Sequence, residues 1–293
     1  MIDIGRVGLW TGVIDAHPTN RTKEVAAELE EMGWPTLWRP ETSGRDAFVS
    51  SAHLLDATTT LNVATGIAQM HARHPVTTRN GQRTLHEASG GRFLLGLGVS
   101  HGPFIEAVRK VEYSKPYSEM VTYLDRMLEA PFHAVGADDE PPTVLAALGP
   151  KMLQLAADQV QGAHPYFSPV EHTAFARETM GAGPLLAPEQ MVVIDDDRER
   201  ATETALKHMK RYLQLPNYTN NLKRFGFTDD DISNASERLI DAIVVRGSID
   251  DVVARVGEHH DAGADHVCVQ VLRPDLEFPM QEWRDLADAF GLS

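Results

Sequence analysis

The sequence has one cysteine, Cys268, among 293 residues. A lone thiol cannot close an internal disulfide, which points to a reducing compartment. Its setting, Val267-Cys268-Val269-Gln270-Val271-Leu272, predicts a small buried strand residue rather than a nucleophile. Long apolar runs are also missing. No stretch approaches the roughly 20 residues of a spanning helix, and Met1-Ile2-Asp3-Ile4-Gly5-Arg6 lacks the basic segment and apolar core of a secretory leader. A cytoplasmic protein without membrane contact is expected. Positive charge is scarce: 27 Lys and Arg stand against 42 Asp and Glu, a net charge of -15. Such a surface repels nucleic acid and anionic lipid, so neither is an expected partner. The sequence contains no H-E-x-x-H or G-x-x-x-x-G-K-[ST], which weighs against zinc-protease and P-loop chemistry. His71 and His74 lie three apart with no carboxylate cluster beside them, so no metal is expected.

What the chain does contain is alternation. Short β-rich runs and helical patterns follow one another almost end to end, the pattern of parallel strands joined by crossover helices. Strands are predicted at Val7–Trp10, Thr36–Arg39, Leu61–Ile67, Arg92–Val99, Thr143–Leu148, Gly162–His164 and Gln190–Ile194, with an eighth ending near Leu272. Pro75, Pro116 and Pro150 suit helix starts, where a missing N–H does no harm. Ser168-Pro169-Val170-Glu171 and Ser248-Ile249-Asp250-Asp251 have helix-capping spacing. Eight strand–helix pairs in a chain of this length predict an α/β fold, the (β/α)8 TIM barrel, as a single domain over residues 1–293. Leu215 to Arg246 exceeds the repeat and is expected to be a helical insertion before the last βα unit, with a helix over Ser236 to Val245. His259 and His260, on the last long helix, are expected to face solvent.

In such a barrel the chemistry sits at the C-terminal strand ends. Those ends select Trp10 as a pocket wall, Glu41, Gly66 and Ile67 with Met70 and His71 behind them, then Gly98, Ser100 and His101. They also select Gly149-Pro150-Lys151-Met152, His164 with Tyr166, and Glu189 near the start of the seventh strand. At Gly149–Met152 a strand ends, a glycine permits close approach, and a helix start offers free N–H groups to an anion such as phosphate. A plain strand–helix turn explains the same spacing. Gly96-Leu97-Gly98 lacks the third glycine of a dinucleotide loop, and small residues there would let a flat cofactor lie against the barrel mouth. His71 and His101 are candidate proton carriers or polar loop residues. Glu41 and Glu189 are the one plausible carboxylate pair for glycoside hydrolysis; alternatively they form salt bridges with Arg39 or Arg73.

Several segments together carry a family resemblance. Ser89-Gly90-Gly91-Arg92-Phe93-Leu94-Leu95-Gly96-Leu97-Gly98 resembles the S-G-G-R-F-x-L-G-x-G motif of luciferase-like monooxygenases and deazaflavin-dependent oxidoreductases. Thr65-Gly66-Ile67 with Arg73-His74-Pro75, Ala146 to Met152, and Ala262-Gly263-Ala264-Asp265-His266-Val267 are similar to further stretches of that superfamily. The resemblance implies a flavin-like ring in the barrel mouth, backed by a non-prolyl cis peptide at Gly66-Ile67. It places the cofactor phosphate near Gly149, Pro150, Lys151 and Met152, with Gly98, Ser100, His101 and His164 around the ring or tail. It implies coenzyme F-420, with FMN as the alternative, and hydride transfer to a small organic substrate, with luciferase-like monooxygenation as the alternative. It also implies a homodimer. Trp10, Met70, Tyr166 and Glu189 would line the substrate pocket, and Glu41, His71 or His101 would move the proton. Relatives acting on sugar phosphates and alcohols carry an Asp-His pair after the second strand, where this chain has Arg39-Pro40-Glu41.

Overall fold

A computed structural model describes residues 2–292. Its strands are β1 (Val7–Trp10), β2 (Thr36–Arg39), β3 (Asn62–Thr65), β4 (Ala68–Gln69), β5 (Phe93–Gly98), β6 (Thr143–Leu145), β7 (Gly162–Ala163), β8 (Leu185–Leu186), β9 (Glu189–Ile194), β10 (Val244–Gly247) and β11 (Val267–Val271). Each recorded pairing between them is parallel. The sheet runs β10-β9-β11-β1-β2-β3-β5-β6-β7-β8, and β4 extends the β3 edge along β5.

The β8 end of that path is joined by chain to β9, the strand next to the other end: only Ala187 and Pro188 separate them. Ala187 and Glu189 donate their N–H groups to Ala163 and Pro165 on one side, and the Pro188 carbonyl accepts from Cys268 on the other. The sheet thus curls back toward its start in the manner of a barrel. Strand residues alternate between two apolar layers, as the two-residue repeat requires. Trp10, Trp38, Ala64, Leu94, Val144 and Cys268 form an inner cluster. Leu9, Leu37, Val63, Phe93, Leu95 and Leu145 pack outward against the crossover helices.

Pro75, Pro116 and Pro150 each open a helix, as expected, and Ser248 with Asp251 forms a reciprocal capping box. Four local expectations are corrected. The fifth strand stops at Leu145, three residues early, so Ala146 to Leu148 belong to the loop. Helix Val170–Met180 is capped at Pro169, which puts Glu171 at the second helical position and leaves Ser168 outside the box geometry. Val244-Val245, predicted as helix, forms β10: two β-branched residues pair with Met191 and Val192. His259 is buried, bonded to Thr173 Oγ1 and to Gln190 Oε1, because its face of the helix packs on β9 and on helix Val170–Met180. A terminal helix, Met280–Ala289, was not foreseen.

Between β9 and β10 lie helices Arg198–Tyr212, Pro216–Arg224, Asp229–Asn234 and Glu237–Ile243. Their apolar faces share a cluster of their own with Phe167, Met191 and Val193. Helix Pro216–Arg224 is thereby brought against the loops that follow the strands.

Candidate active site

The floor of the mouth is built around a break in the third strand. The Gly66-Ile67 peptide is cis, as the resemblance implied. Thr65 ends β3 with its hydroxyl bonded to both Gly96 O and Gly96 N, at 2.7 and 2.9 Å. The chain then resumes as β4 beside Leu97 and Gly98. Both glycines of Gly96-Leu97-Gly98 make room for this break. A Cβ at Gly96 would overlap the Thr65 carbonyl, and one at Gly98 would lie 2.7 Å from Ile67 Cδ1. The space at Gly98, anticipated for a flat ring, is taken by the Ile67 side chain.

Three buried polar side chains share the inner face at this level. His164 donates Nδ1–H to the Ala187 carbonyl at 2.7 Å, since a carbonyl can only accept. Its Nε2 is therefore bare, and among the described residues it has no partner. Trp38 stacks beneath the ring at 4.4 Å. Burial holds His164 down to about 4, so it is neutral at physiological pH. The Trp10 indole N–H is likewise buried without a partner, and a Cβ built on Gly66 would overlap it and lie 3.0 Å from His164 Nε2. Glu189, at the start of β9, accepts the Phe167 N–H on Oε2 at 3.3 Å, and its Oε1 is unpartnered. Burial pushes its carboxyl up to about 8. Tyr166 completes the layer, its ring 5.0 Å from Trp10 and its hydroxyl donating to Gln270 Oε1 at 2.9 Å.

The rim residues are differently placed. Glu41 is buried and committed: Arg73 grips both its oxygens, and the N–H groups of Gln69 and Ala47 donate to them at 2.8 and 3.3 Å. Of the two readings of Glu41, free acid or ion pair, the geometry is that of the ion pair with Arg73. His71 Nε2 faces Glu119 Oε2 at 3.3 Å, and its Nδ1 is unpartnered. His101 Nδ1 meets Asn217 Oδ1 at 3.2 Å, and burial lowers its pKa against that bond. Ser100 takes a left-handed backbone (φ 58°), with its carbonyl accepting from the Tyr113 hydroxyl. Met70, expected as a pocket wall, is buried in the main apolar cluster.

At the opposite side of the mouth, helix Pro150–Gln159 begins at Gly149 with no side-chain cap. Sequence reasoning missed what stands over it. Arg224, from helix Pro216–Arg224, donates to the Leu148 carbonyl and to Asn221 Oδ1 at 2.7 Å, with its Nη2 4.0 Å from a Cβ position at Gly149. Asn221 Nδ2 is buried and has no partner among the described residues. The one available signal was an asparagine on the apolar face of a helix, between Tyr218 and Leu222, where a buried amide needs a reason.

The comparison with known proteins decides the kinship. Residues 6–266 match the family model described as luciferase-like monooxygenase. This chain belongs to the luciferase-like monooxygenase family. It is 26% identical to a Mycobacterium tuberculosis protein named among the coenzyme F-420-dependent oxidoreductases, covering 88% of this chain and 92% of that one. It is 23% identical to a 5,10-methylenetetrahydromethanopterin reductase of Archaeoglobus fulgidus, covering 81% and 85%. Among solved structures, an F-420-dependent secondary alcohol dehydrogenase in complex with an F-420–acetone adduct superposes with a TM-score of 0.78 at 16% identity, over 96% and 97% of the chains. The oxygenating constituent of 3,6-diketocamphane monooxygenase, a Pseudomonas putida plasmid protein in complex with FMN, superposes at 0.71 and 15% identity, over 96% of each.

Within the luciferase-like family frame, the residues fit a flat ring with a phosphate tail. The break at Gly66-Ile67 and the unpartnered Trp10 and His164 nitrogens offer one polar floor. The uncapped helix start, Arg224 and the spare Asn221 amide offer an anion cradle. Among the described residues no group of three or more His, Cys, Asp or Glu is placed to hold a metal, and no helix is long and apolar enough to cross a membrane.

Proposed function

We propose that this member of the luciferase-like family is an oxidoreductase that moves a hydride between coenzyme F-420 and a small organic substrate. The observation that carries the reading is the pairing of the buried, unpartnered Trp10 and His164 nitrogens with the Gly149 helix start under Arg224. The ring would lie on the first and the phosphorylated side chain at the second, where free N–H groups and Arg224 favour an anion. The deazaflavin is favoured over FMN because two relatives aligned along most of the chain bear names of F-420-dependent or reductase activities.

In this reading the wall is the closed (β/α)8 barrel, with helices Pro216–Arg224 to Glu237–Ile243 as its insertion. Gly149, Pro150, Lys151 and Met152 hold the phosphate from the helix start, and Arg224 adds a guanidinium. Gly66, Ile67 and His164 back the ring, with Gly98 supporting Ile67 and Ser100 and His101 at its edge. Trp10, Tyr166 and Glu189 face the substrate. When bound, the reduced deazaflavin supplies two electrons as hydride. Glu41 anchors the second and third strand-end loops through Arg73. His71 and His101 stand at the rim. The protein acts on a small molecule, resides in the cytoplasm and pairs as a homodimer.

FMN is the second reading, favoured by the FMN-bound monooxygenase of the same fold. Fluorescence titration of the purified protein with coenzyme F-420 and with FMN separates the two. Binding of F-420 alone is the expected result. Binding of FMN alone, with oxygen consumption, selects the monooxygenase, and binding of neither removes both.

A further inference from the structure

Hydride transfer to a polarised double bond leaves an electron pair that needs a proton. Neither Glu41 nor His164 supplies one simply: Glu41 is ion-paired with Arg73, and His164 on the floor presents a bare nitrogen that can only accept. Glu189 is different. It lies on the inner face of the sheet, 2% exposed, and Oε2 takes the Phe167 N–H while Oε1 is left without a partner. Phe167 presents that N–H from a left-handed backbone (φ 54°), a conformation that non-glycine residues rarely adopt.

We propose that Glu189 is the proton donor to the oxygen of a carbonyl substrate reduced in the mouth. The inference rests on the hydride-transfer reading above. A hydride adds to the carbonyl carbon, the C=O π bond breaks, and its pair on oxygen takes the proton from Glu189 Oε1. The deazaflavin is left oxidised. Glu189 is left as carboxylate and regains its proton from solvent as the alcohol leaves. The Trp10 N–H, at the same level, is a second donor for the carbonyl oxygen, and Nε2 of His164 an acceptor for the product hydroxyl.

The groups around Glu189 keep its proton on. Cys268 comes from β11, Tyr166 from the loop after β7, and Tyr218 from helix Pro216–Arg224, each interacting with it electrostatically. His164 lies beside Cys268, its Nδ1 3.8 Å from Sγ. None carries positive charge near neutral pH, and the Phe167 N–H, which favours the carboxylate, is outweighed by burial. Burial raises the carboxyl to about 8, close to the operating range an efficient general acid needs.

The test has two arms. In the cofactor-free protein, infrared difference spectra against pH report a protonated carboxyl by its C=O stretch. A band present at pH 7, lost as pH rises through about 8, and missing in Glu189→Gln is expected. No such band, or titration of Glu189 in the ordinary carboxylate range, overturns the proposal. In the second arm the holoenzyme with reduced F-420 and the saturated ketone cyclohexanone is followed by cofactor absorbance. Glu189→Gln keeps an acceptor for Phe167 but loses the acid. A fall in kcat of roughly 100-fold or more, with the F-420 dissociation constant unchanged and the high-pH limb of the kcat profile abolished, is expected. A variant that keeps its rate while binding F-420 overturns the assignment of Glu189 and leaves hydride transfer standing. A wild-type protein that binds no F-420 removes the hydride reading, and the infrared arm still decides whether Glu189 is an acid.

Discussion

Replacing Glu41 by alanine separates an anchoring role from a catalytic one. The carboxylate receives both guanidinium nitrogens of Arg73 and two backbone N–H groups, from Gln69 and Ala47. The Glu41 side chain is 2% exposed and Arg73 10%. Removing one partner of such a pair strands a charge in a poorly solvated place, which costs about 3–5 kcal/mol. Arg73 retains Asp46, a half-exposed carboxylate, which offsets part of that. The orphaned Gln69 and Ala47 N–H groups add about 1–3 kcal/mol each where water cannot reach them. A net destabilisation of about 3–5 kcal/mol is expected. At about 2 °C per kcal/mol for a chain of this size, the melting temperature falls by about 6–10 °C. Urea unfolding and calorimetry measure this directly. The double variant Glu41→Ala with Arg73→Ala should recover part of the loss, because no unpaired guanidinium remains. If Glu41→Ala unfolds within about 1 kcal/mol of the parent yet loses turnover, the anchoring argument is wrong and Glu41 is a working acid after all.

Further expectations are independent of that one. The Glu189 carboxyl moves from an ordinary 4.5 to about 8 in the fold, so the folded state holds its proton more tightly. The stability this linkage contributes is complete below about 4.5 and is lost as pH rises to about 8, by about 1.4 kcal/mol per unit at most. Glu189→Gln should therefore gain on the parent in chemical denaturation between pH 5 and 8, and a constant difference would refute the linkage. Arg224→Ala should weaken FMN or F-420 binding about 10-fold or more, the loss of one charge-assisted contact, while leaving riboflavin binding unchanged. Equal effects on riboflavin and FMN would place Arg224 away from the phosphate. Gly98→Val should force Ile67 aside, costing about 1–3 kcal/mol and weakening ring binding in the same titration. Normal stability with normal binding would show that the Ile67 contact is dispensable.

Most of the fold was legible because parallel strands repeat a simple code. Alternating apolar faces, proline at helix starts and glycine at helix ends mark each strand–helix unit over a few residues. The errors lie where a distant partner overrides that code. Val244-Val245 follows a helical pattern but finds an open edge on β9. His259 sits on a polar-looking helix face that β9 and helix Val170–Met180 cover. Ser168 has capping spacing, yet Pro169 takes the cap position and the box slips by one.

The site was legible only where it is made by one strand end at a time. Gly66-Ile67 and Gly149–Met152 are of that kind. Arg224, Asn217 and Asn221 are not: their meeting with Leu148 and His101 depends on how helix Pro216–Arg224 crosses the mouth, and no local spacing records it. The motifs that carry the family likeness are themselves mostly architectural. Arg92 of Ser89-Gly90-Gly91-Arg92-Phe93 spends its guanidinium on the carbonyls of Leu55, Thr58, Leu61 and Ser89, at the N-terminal end of β5. Asp265 of Ala262-Gly263-Ala264-Asp265 bonds Arg177 and the Leu186 N–H before β11. Both lie at the end of the sheet away from the mouth, where a barrel keeps its stability residues. The likeness therefore reports the scaffold, and Glu189, the first residue of β9, lies outside those motifs.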